Sequence, residues 1–119
     1  MKAAGRKAKG SSAEREFAKM LVDSGLDKFA RRMVLSGSVF GLESDIMTKL
    51  PFMFEIKNHE KVRVWEFWDQ TVNQSLGTTR RPVLVIKSNR RGFLVVMGAG
   101  DWLELASYAL DKAGGAKYE

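Results

Sequence analysis

The stretch FMFEIKNHE, residues 52–60, decides the predicted fold because its side chains alternate with the two-residue period of a β-strand. One face of this strand is apolar and consists of Phe52, Phe54 and Ile56. The other face places Glu55 and Lys57 beside Met53, so that an acid and a base lie two residues apart on a strand suited to a protein core. That pair of charges is what the remaining sequence has to explain.

The composition of the chain limits its class. Its 119 residues suit one domain with a small core, since 45% of them are hydrophobic. The absence of cysteine excludes disulfides, thiolate zinc sites and thiol nucleophiles. No apolar run approaches the roughly 20 residues of a membrane span, and the N-terminal residues lack the apolar segment of a signal peptide. We therefore expect a soluble cytoplasmic protein, either of a prokaryotic cell or, for a viral protein, of its host.

The charge of the chain indicates a polyanionic partner. The 20 Lys and Arg residues exceed the 14 Asp and Glu residues by six, and the sequence pI is about 9.8. Such an excess favours nucleic acid or an acidic membrane surface. Residues 1–10 contain no acid, and we expect a flexible basic arm there that can contact phosphates. Its candidate DNA-binding side chains are Arg6, Lys7 and Lys9.

The remaining periodicities predict an α/β domain over residues 11–112, followed by a tail at 113–119. Besides the strand quoted above, the predicted elements are a helix at 11–25, strands at 33–38 and 44–50, a helix at 64–77, strands at 83–86 and 93–97, and a last helix capped by Asp101. In the helix at 64–77, one apolar stripe consists of Trp65, Trp68, Val72 and Leu76. At this spacing the tryptophans are expected in the core, with stacking on nucleic-acid bases as the alternative.

A turn at KLP, residues 49–51, would bring two carboxylates together. Asp45 and Glu55 are equally far from Leu50, so in an antiparallel hairpin their Cβ atoms would lie about 4.5–5.5 Å apart. Two anions at that distance repel each other, and a hard cation such as Mg²⁺ removes the conflict. With Lys57 about 6–7 Å along the same face, the set suits phosphodiester hydrolysis. The alternative is a solvated sheet edge with ordinary cross-strand pairing.

Three segments carry a resemblance to a known family. SDI at 44–46 followed by EIK at 55–57 resembles the Asp…Glu-x-Lys signature of PD-(D/E)XK nucleases. GSSAEREFAKML at 10–21 resembles the first motif of archaeal-type Holliday junction resolvases, and RMVLSG at 32–37 resembles their segment before the catalytic aspartate. The resemblance implies a restriction-endonuclease-like fold, in which helices flank a mixed five-stranded sheet. It departs from the signature at Ser44, where proline is usual.

By position, the resemblance implies a role for each residue of the motif. Asp45 and Glu55 would bind the metal together with the backbone carbonyl of Ile56, and Lys57 would be the catalytic lysine. The expected cofactor is Mg²⁺, with Mn²⁺ able to substitute. Glu14 would complete the acidic cluster as a further catalytic residue. Its structural alternative is a capping box with Ser11, and the two roles are compatible.

Further DNA contacts are expected outside the metal site. The resemblance implies basic residues near the scissile phosphate or the DNA backbone and a serine in the following loop, matched here by Arg15, Arg32 and Ser36. Arg31 can take the place of Arg32. The turn between the last two predicted strands carries two more basic residues, Arg90 and Arg91, which can grip phosphates.

Together these features predict a metal-dependent endonuclease that resolves four-way (Holliday) DNA junctions by paired symmetric nicks. Because resolution needs two nicks and one small domain carries one site, we expect a C2 homodimer. One alternative is a nuclease of the same fold that acts on another DNA substrate in repair, restriction or end processing. The other is a non-catalytic basic DNA-binding module, which would explain the charge but not the acids. No membrane partner and no small-molecule organic cofactor are expected.

Overall fold

The computed structural model describes residues 2–33 and 45–114, with side chains from residue 12 onward. Its elements are α1 (Lys2–Asp23), β1 (Arg31–Arg32), β2 (Ile46–Met47), β3 (Phe52–Asn58), α2 (Val64–Ser75), β4 (Arg81–Lys87), β5 (Phe93–Val96) and α3 (Ala99–Lys112). The predicted order of helix, three strands, helix, two strands and helix is confirmed. Within the described ranges, no helix combines the length and the apolarity that a membrane span requires.

The five strands form two sheets, so the single five-stranded sheet implied by the resemblance is not observed. In the larger sheet β3 and β4 run parallel, with Phe54 beside Val83, and β4 and β5 run antiparallel. This sheet is mixed, as predicted. The smaller sheet is an antiparallel pair in which Arg32 of β1 lies beside Ile46 of β2.

The two sheets are joined through Asp45, which precedes β2. Its backbone N–H donates to the carbonyl of Phe54 in β3 at 3.0 Å, and its carbonyl accepts the N–H of Met33 at 2.9 Å. The predicted hairpin set Asp45 opposite Glu55, and this register is wrong because the backbone of Asp45 bonds to Phe54 instead. Of the strands predicted at 33–38 and 44–50, most of the first lies outside the described residues.

The second predicted strand is reduced to Ile46–Met47 by contacts that follow it. Thr48 Oγ1 and the Lys49 N–H both donate to Asp27 Oδ2, at 2.6 and 2.9 Å. These bonds turn the chain away from the sheet, so β2 stops at Met47. A single sequence gives no sign of this, since Asp27 lies more than twenty residues upstream.

The central strand β4 is covered on both faces, as its apolar run predicts. Val83 and Val85 face α1 in a cluster with Phe54, whose ring meets that of Phe17 edge-on at 5.1 Å. On the other face, a second cluster is formed by Leu84, Ile86 and, from α2, Phe67. The sheet therefore lies between two helices, and β3 presents its apolar face to α1 and its charged face to α2.

Helix α1 begins at Lys2, so the helix start predicted at Ser11 is wrong, whereas the flexible basic arm predicted for residues 1–10 is not tested and stays a prediction. The segment KAAGRKAK is rich in alanine and lysine, which favour helix over irregular structure. Ser11 consequently lies inside the helix, where no free N–H groups await a cap, and the capping-box role of Glu14 falls away. The apolar side chains at helical spacing in α1 predict a stripe of Ala13, Phe17, Met20 and Leu21; three of these are buried, whereas Met20 is 50% exposed.

The buried side of α2 differs from the predicted stripe. Its buried residues are Phe67, Thr71 and Ser75, whereas Trp65 and Leu76 are exposed. The two polar residues are buried because their hydroxyls donate to helix carbonyls: Thr71 to Phe67 at 2.8 Å and Ser75 to Val72 at 2.7 Å. Hydrophobic periodicity does not predict this buried side, because two of its residues, Thr71 and Ser75, are polar and are buried only through hydrogen bonds within the helix.

Helix α3 is attached to the sheet by ion pairs between side chains, and none of its described side chains is buried. Its N-cap is Gly98, and Asp101 lies in the first turn, so the predicted Asp101 cap is wrong. Arg81 at the start of β4 pairs with Asp101 at 2.9 Å and also with Glu104. No described residue of α3 is buried, which leaves its apolar side uncovered.

Candidate active site

The charged face of β3 holds Glu55 and Lys57 between the sheet and α2. Glu55 is only 7% exposed, and Lys57 Nζ lies 3.7 Å from its Oε1. The same ammonium group lies 5.2 Å from the ring centroid of Phe67. The alternation of β3 thus places the acid and the base side by side as predicted, and α2 limits the access of water to them.

Asp45 reaches the same place from the neighbouring sheet. Its backbone is fixed to Phe54, and its Oδ2 accepts the N–H of Ile56 at 2.7 Å. In a strand the N–H and C=O of one residue point to the same edge, so the Ile56 carbonyl also faces Asp45. The Asp45 carboxylate therefore lies next to Glu55 although the two backbones are not directly opposed.

The pKa values of both carboxyl groups are raised. The pKa of Asp45 is raised to about 6, mainly because the carboxyl group is buried. The hydrogen bond from the Ile56 N–H lowers this pKa, whereas the negative charge of Glu14 raises it. Burial, and next the charge of Asp45, raises the pKa of Glu55 to about 8, opposed by Lys57. In addition, Glu55 Oε2 is buried and has no hydrogen-bond partner among the residues that the structure describes. Without a bound cation, the raised pKa keeps Glu55 largely protonated near neutral pH, so that Asp45 and Glu55 do not both carry a charge.

Glu14 of α1 completes this group from a third element. Its Oε1 accepts a hydrogen bond from Arg32 Nε of β1 at 2.8 Å, and both side chains are partly buried. Its charge and a hydrogen bond act on Asp45. Three acidic residues that are distant in sequence thus lie close together: Glu14 on α1, Asp45 before β2 and Glu55 on β3. We call these three residues the acidic cluster.

Comparison with known proteins identifies the family of the chain. The model of a family described as phage putative PDDEXK endonuclease matches residues 5–112. The chain belongs to this family. The predicted PD-(D/E)XK superfamily is thereby confirmed, whereas the archaeal resolvase type is not tested by this match. No curated protein and no solved structure matches the chain.

The cluster of this PDDEXK endonuclease fits a divalent cation in part. Among the described residues, no three His, Cys, Asp or Glu side chains are arranged so that they alone could hold a metal ion. The unpartnered Glu55 Oε2, the second Asp45 oxygen and the Ile56 carbonyl are nevertheless hard oxygen donors on one edge of β3. Mg²⁺ prefers such donors and keeps several waters, so these three oxygen atoms are the candidate ligands for a cation.

The predicted DNA-binding residues are distributed around this site. Arg15 and Arg31 are exposed, whereas Arg32 is engaged by Glu14. Arg90 and Arg91 are exposed on the β4–β5 turn, where Arg90 adopts a φ of 61°. Arg6, Lys7 and Lys9 lie on the first turns of α1, and Ser36 lies outside the described residues. None of these DNA contacts is tested by the structure, so all of them stay predictions.

One supporting residue was missed by the sequence analysis. Asp27 is buried, and besides Thr48 and Lys49 it accepts the N–H of Phe29 at 3.0 Å. The hydrogen bonds from Thr48 and Lys49 lower the pKa of Asp27. It anchors the segment between Asp45 and β3, and so helps to hold Asp45 beside β3. An aspartate whose side chain accepts the N–H two residues further along is typical of a local turn. This turn tendency is the one signal of Asp27 in the sequence.

Proposed function

We propose that this protein is a divalent-metal-dependent DNA endonuclease, and that it resolves four-way junctions by paired symmetric nicks. The observation that carries the nuclease assignment is the buried, unpartnered Oε2 of Glu55 beside Asp45 and Lys57. In a member of a PDDEXK endonuclease family, this set corresponds residue by residue to the Asp…Glu-x-Lys signature.

The residues divide the chemistry between them. A bound cation would supply the positive charge that stabilises the pentavalent phosphate and lowers the pKa of a water. Asp45, Glu55 and the Ile56 carbonyl hold it. Lys57, steadied by Glu55 and by the Phe67 ring, donates a hydrogen bond to the attacking water or to a phosphate oxygen. Mg²⁺ is the proposed physiological ion and Mn²⁺ a substitute.

Glu14 and Arg32 act as a pair in this proposal. Glu14 keeps Asp45 oriented toward β3 and holds Arg32 at the edge of the site. A phosphate that reaches the cluster competes with Glu14 for the guanidinium, which then contributes positive charge near the scissile group. Arg32 therefore contacts DNA only after a phosphate has displaced Glu14 from its guanidinium group.

The choice of a junction as substrate is supported by charge and by symmetry. The net charge of +6 and the exposed Arg15, Arg31, Arg90 and Arg91 favour recognition of the DNA backbone, which reads shape rather than sequence. Two nicks placed symmetrically require two copies of the site, so the enzyme would work as a C2 homodimer. A nuclease with another DNA substrate is the second candidate, favoured by the family description, which names an endonuclease and no junction.

A cleavage assay tests both levels of the proposal. A four-way junction, a linear duplex, a splayed duplex and a single strand are compared with Mg²⁺ and with EDTA. We expect Asp45→Ala and Glu55→Gln to lose at least about 100-fold in cleavage and to keep junction binding, because removing an acid also removes repulsion toward phosphate. Glu16→Gln is the control for the loss of an acid outside the acidic cluster, because Glu16 of α1 pairs with Lys87 at 3.2 Å. This variant should cleave like the wild type.

The outcomes separate the candidates. Paired nicks on opposing strands of the junction, with weak cleavage of the other three substrates, support the resolvase. Equal cleavage of all four rejects junction selectivity and leaves the nuclease intact. Near wild-type cleavage by Asp45→Ala rejects the site, and junction binding without any cleavage in Mg²⁺ points to the non-catalytic DNA-binding module.

A further inference from the structure

A pocket of about 310 Å³ lies between the end of β3 and the start of α2. Neither the proposed metal site nor the expected DNA contacts use the residues that line it. Its lining combines basic, acidic and aromatic side chains and comprises His59, Glu60, Lys61, Arg63, Glu66 and Phe67. We call these six residues the α2 pocket.

The α2 pocket shares one wall with the candidate active site. The centroid of the Phe67 ring lies 5.2 Å from Lys57 Nζ and 4.9 Å from the centroid of the His59 ring. Side chains on one face of a strand follow each other at about 6–7 Å, so His59 continues the row of Glu55 and Lys57 just beyond the end of β3. A DNA strand whose phosphate reaches Lys57 would therefore bring its neighbouring nucleotide to the α2 pocket.

The rim of the α2 pocket can bind a phosphate group. Lys61 and Arg63 are exposed, and the Arg63 guanidinium is held by Glu66 at 3.3 Å. Arg63 is also the N-cap residue of α2, and no side chain of the described residues caps this end of the helix. The first backbone N–H groups of a helix attract anions, so they add to the positive charge that the two side chains offer to one phosphate.

The remaining lining suits a nucleobase better than a second phosphate. Glu60 and Glu66 would repel a further anion, but carboxylates accept hydrogen bonds from the amino groups of bases. The His59 ring offers an aromatic surface of the kind on which bases stack without regard to sequence. The size of the pocket lies at the lower end of the range for small ligands, about 300–1,000 Å³, which fits one nucleotide.

We infer that the α2 pocket binds one unpaired nucleotide of the DNA, with its phosphate on Lys61 and Arg63 and its base stacked on His59. A base inside a duplex reaches such a pocket only by leaving the stack, which costs free energy. The protein should therefore prefer DNA in which a nucleotide beside the cleavage point is already unpaired. This inference rests on the proposed function, since it takes the acidic cluster as the cleavage site, and it narrows the substrate class. In a four-way junction, the unpaired nucleotide would come from the branch point.

Binding without cleavage tests the base contact. Fluorescence anisotropy in EDTA compares the affinity of the full chain for a duplex with one unpaired nucleotide and for the fully paired duplex. We expect the wild type to prefer the first by at least about 10-fold. His59→Ala should reduce this preference to less than about 3-fold, whereas His59→Phe, which keeps an aromatic ring, should retain most of it.

The phosphate contact has a matched pair of variants. Lys61→Gln should weaken binding to the duplex with the unpaired nucleotide at least about 3-fold more than binding to the paired duplex. Lys112→Gln removes an exposed cation from the last turn of α3 and should affect the two duplexes equally. Because Lys61 is exposed, its replacement tests the pocket even where His59→Ala disturbs folding, which circular dichroism detects.

The results separate the α2 pocket from the proposed function. Equal affinity of the wild type for the two duplexes overturns the inference, as does a preference that both His59→Ala and Lys61→Gln leave intact. With Mg²⁺, the cut should fall beside the unpaired nucleotide, and a cut at random positions also overturns it. A retained preference without any cleavage would instead count against the proposed function alone.

Discussion

Glu55 carries a carboxylate oxygen into the interior beside Asp45, and at the scale of single residues this has a consequence for stability. A group whose pKa is higher in the folded state than in the unfolded chain stabilises the fold below its ordinary pKa, and that contribution is lost as the pH rises through the folded value. Glu55 moves from 4.5 to about 8 and Asp45 from 3.8 to about 6. Both therefore destabilise the metal-free fold as the solution becomes alkaline.

We accordingly expect the free energy of unfolding of the EDTA-treated protein to fall between pH 5 and pH 8. Glu55→Gln, which cannot ionise, should remove most of the slope above pH 6. Added Mg²⁺ should stabilise the wild type more at pH 8 than at pH 5 and should stabilise Glu55→Gln much less. Urea denaturation at several pH values measures all three effects. A wild-type stability that rises over this window would contradict the assignment of Glu55 to the buried cluster.

Glu14 allows a second prediction at the same scale. Glutamine retains a carbonyl that can accept the Arg32 hydrogen bond, but it removes the charge that acts on Asp45. Glu14→Gln should therefore reduce cleavage by at least about 10-fold with a melting temperature within a few degrees of wild type. Glu16 lies two residues further along the same helix, and Glu16→Gln breaks its ion pair with Lys87 of β4 but should leave cleavage unchanged. Equal activities of the two variants would return Glu14 to a structural role.

At the scale of elements, the position of β3 depends on Asp27. Removing its carboxylate frees Thr48 and Lys49, which then no longer hold the segment that leads into β3. Asp27→Ala should lower the melting temperature and also reduce cleavage, because Asp45 and Glu55 lie on opposite sides of that segment. Asp23→Ala, which breaks only the exposed pair with Lys19, should change neither. Normal cleavage at a reduced melting temperature would limit Asp27 to global stability.

The elements also show how far sequence reasoning reaches. β4 and the buried side of α1 were predictable because apolar side chains repeat at the period of the structure. The meeting of Asp45 and Glu55 followed from their equal spacing about Leu50, although the register came out one residue away. What failed depended on distant partners: Asp27 shortens β2, and hydroxyl–carbonyl bonds bury Thr71. Glu14 and Arg32 are 18 residues apart, and only the family resemblance related them to the site.

At the scale of the whole molecule, charge should govern affinity. DNA binding by phosphate contacts weakens with salt at a slope of about 0.9 per contact. The triple variant Arg6→Gln, Lys7→Gln, Lys9→Gln should bind a junction more weakly and with a slope shallower by about 2 to 3. Its cleavage rate at saturating protein should match wild type, because the acidic cluster is untouched. An unchanged slope would mean that the first turns of α1 do not contact DNA.

Asp45, the proposed metal-binding aspartate, lies where the two sheets join, so the proposed activity can be lost before the protein unfolds. The β1–β2 ribbon is short, so it can detach from β3 while the larger sheet stays folded, although detachment exposes Ile46, which is 1% exposed in the cluster that faces α1. Detachment would move Asp45 away from Glu55. The proposed cleavage activity would then be lost without global unfolding of the protein. Heating should accordingly abolish cleavage several degrees before circular dichroism reports unfolding, and amide protons of Ile56 and Asp45 should exchange faster than those of β4. Thermal inactivation would then be reversible on cooling, a loss of alignment rather than of structure.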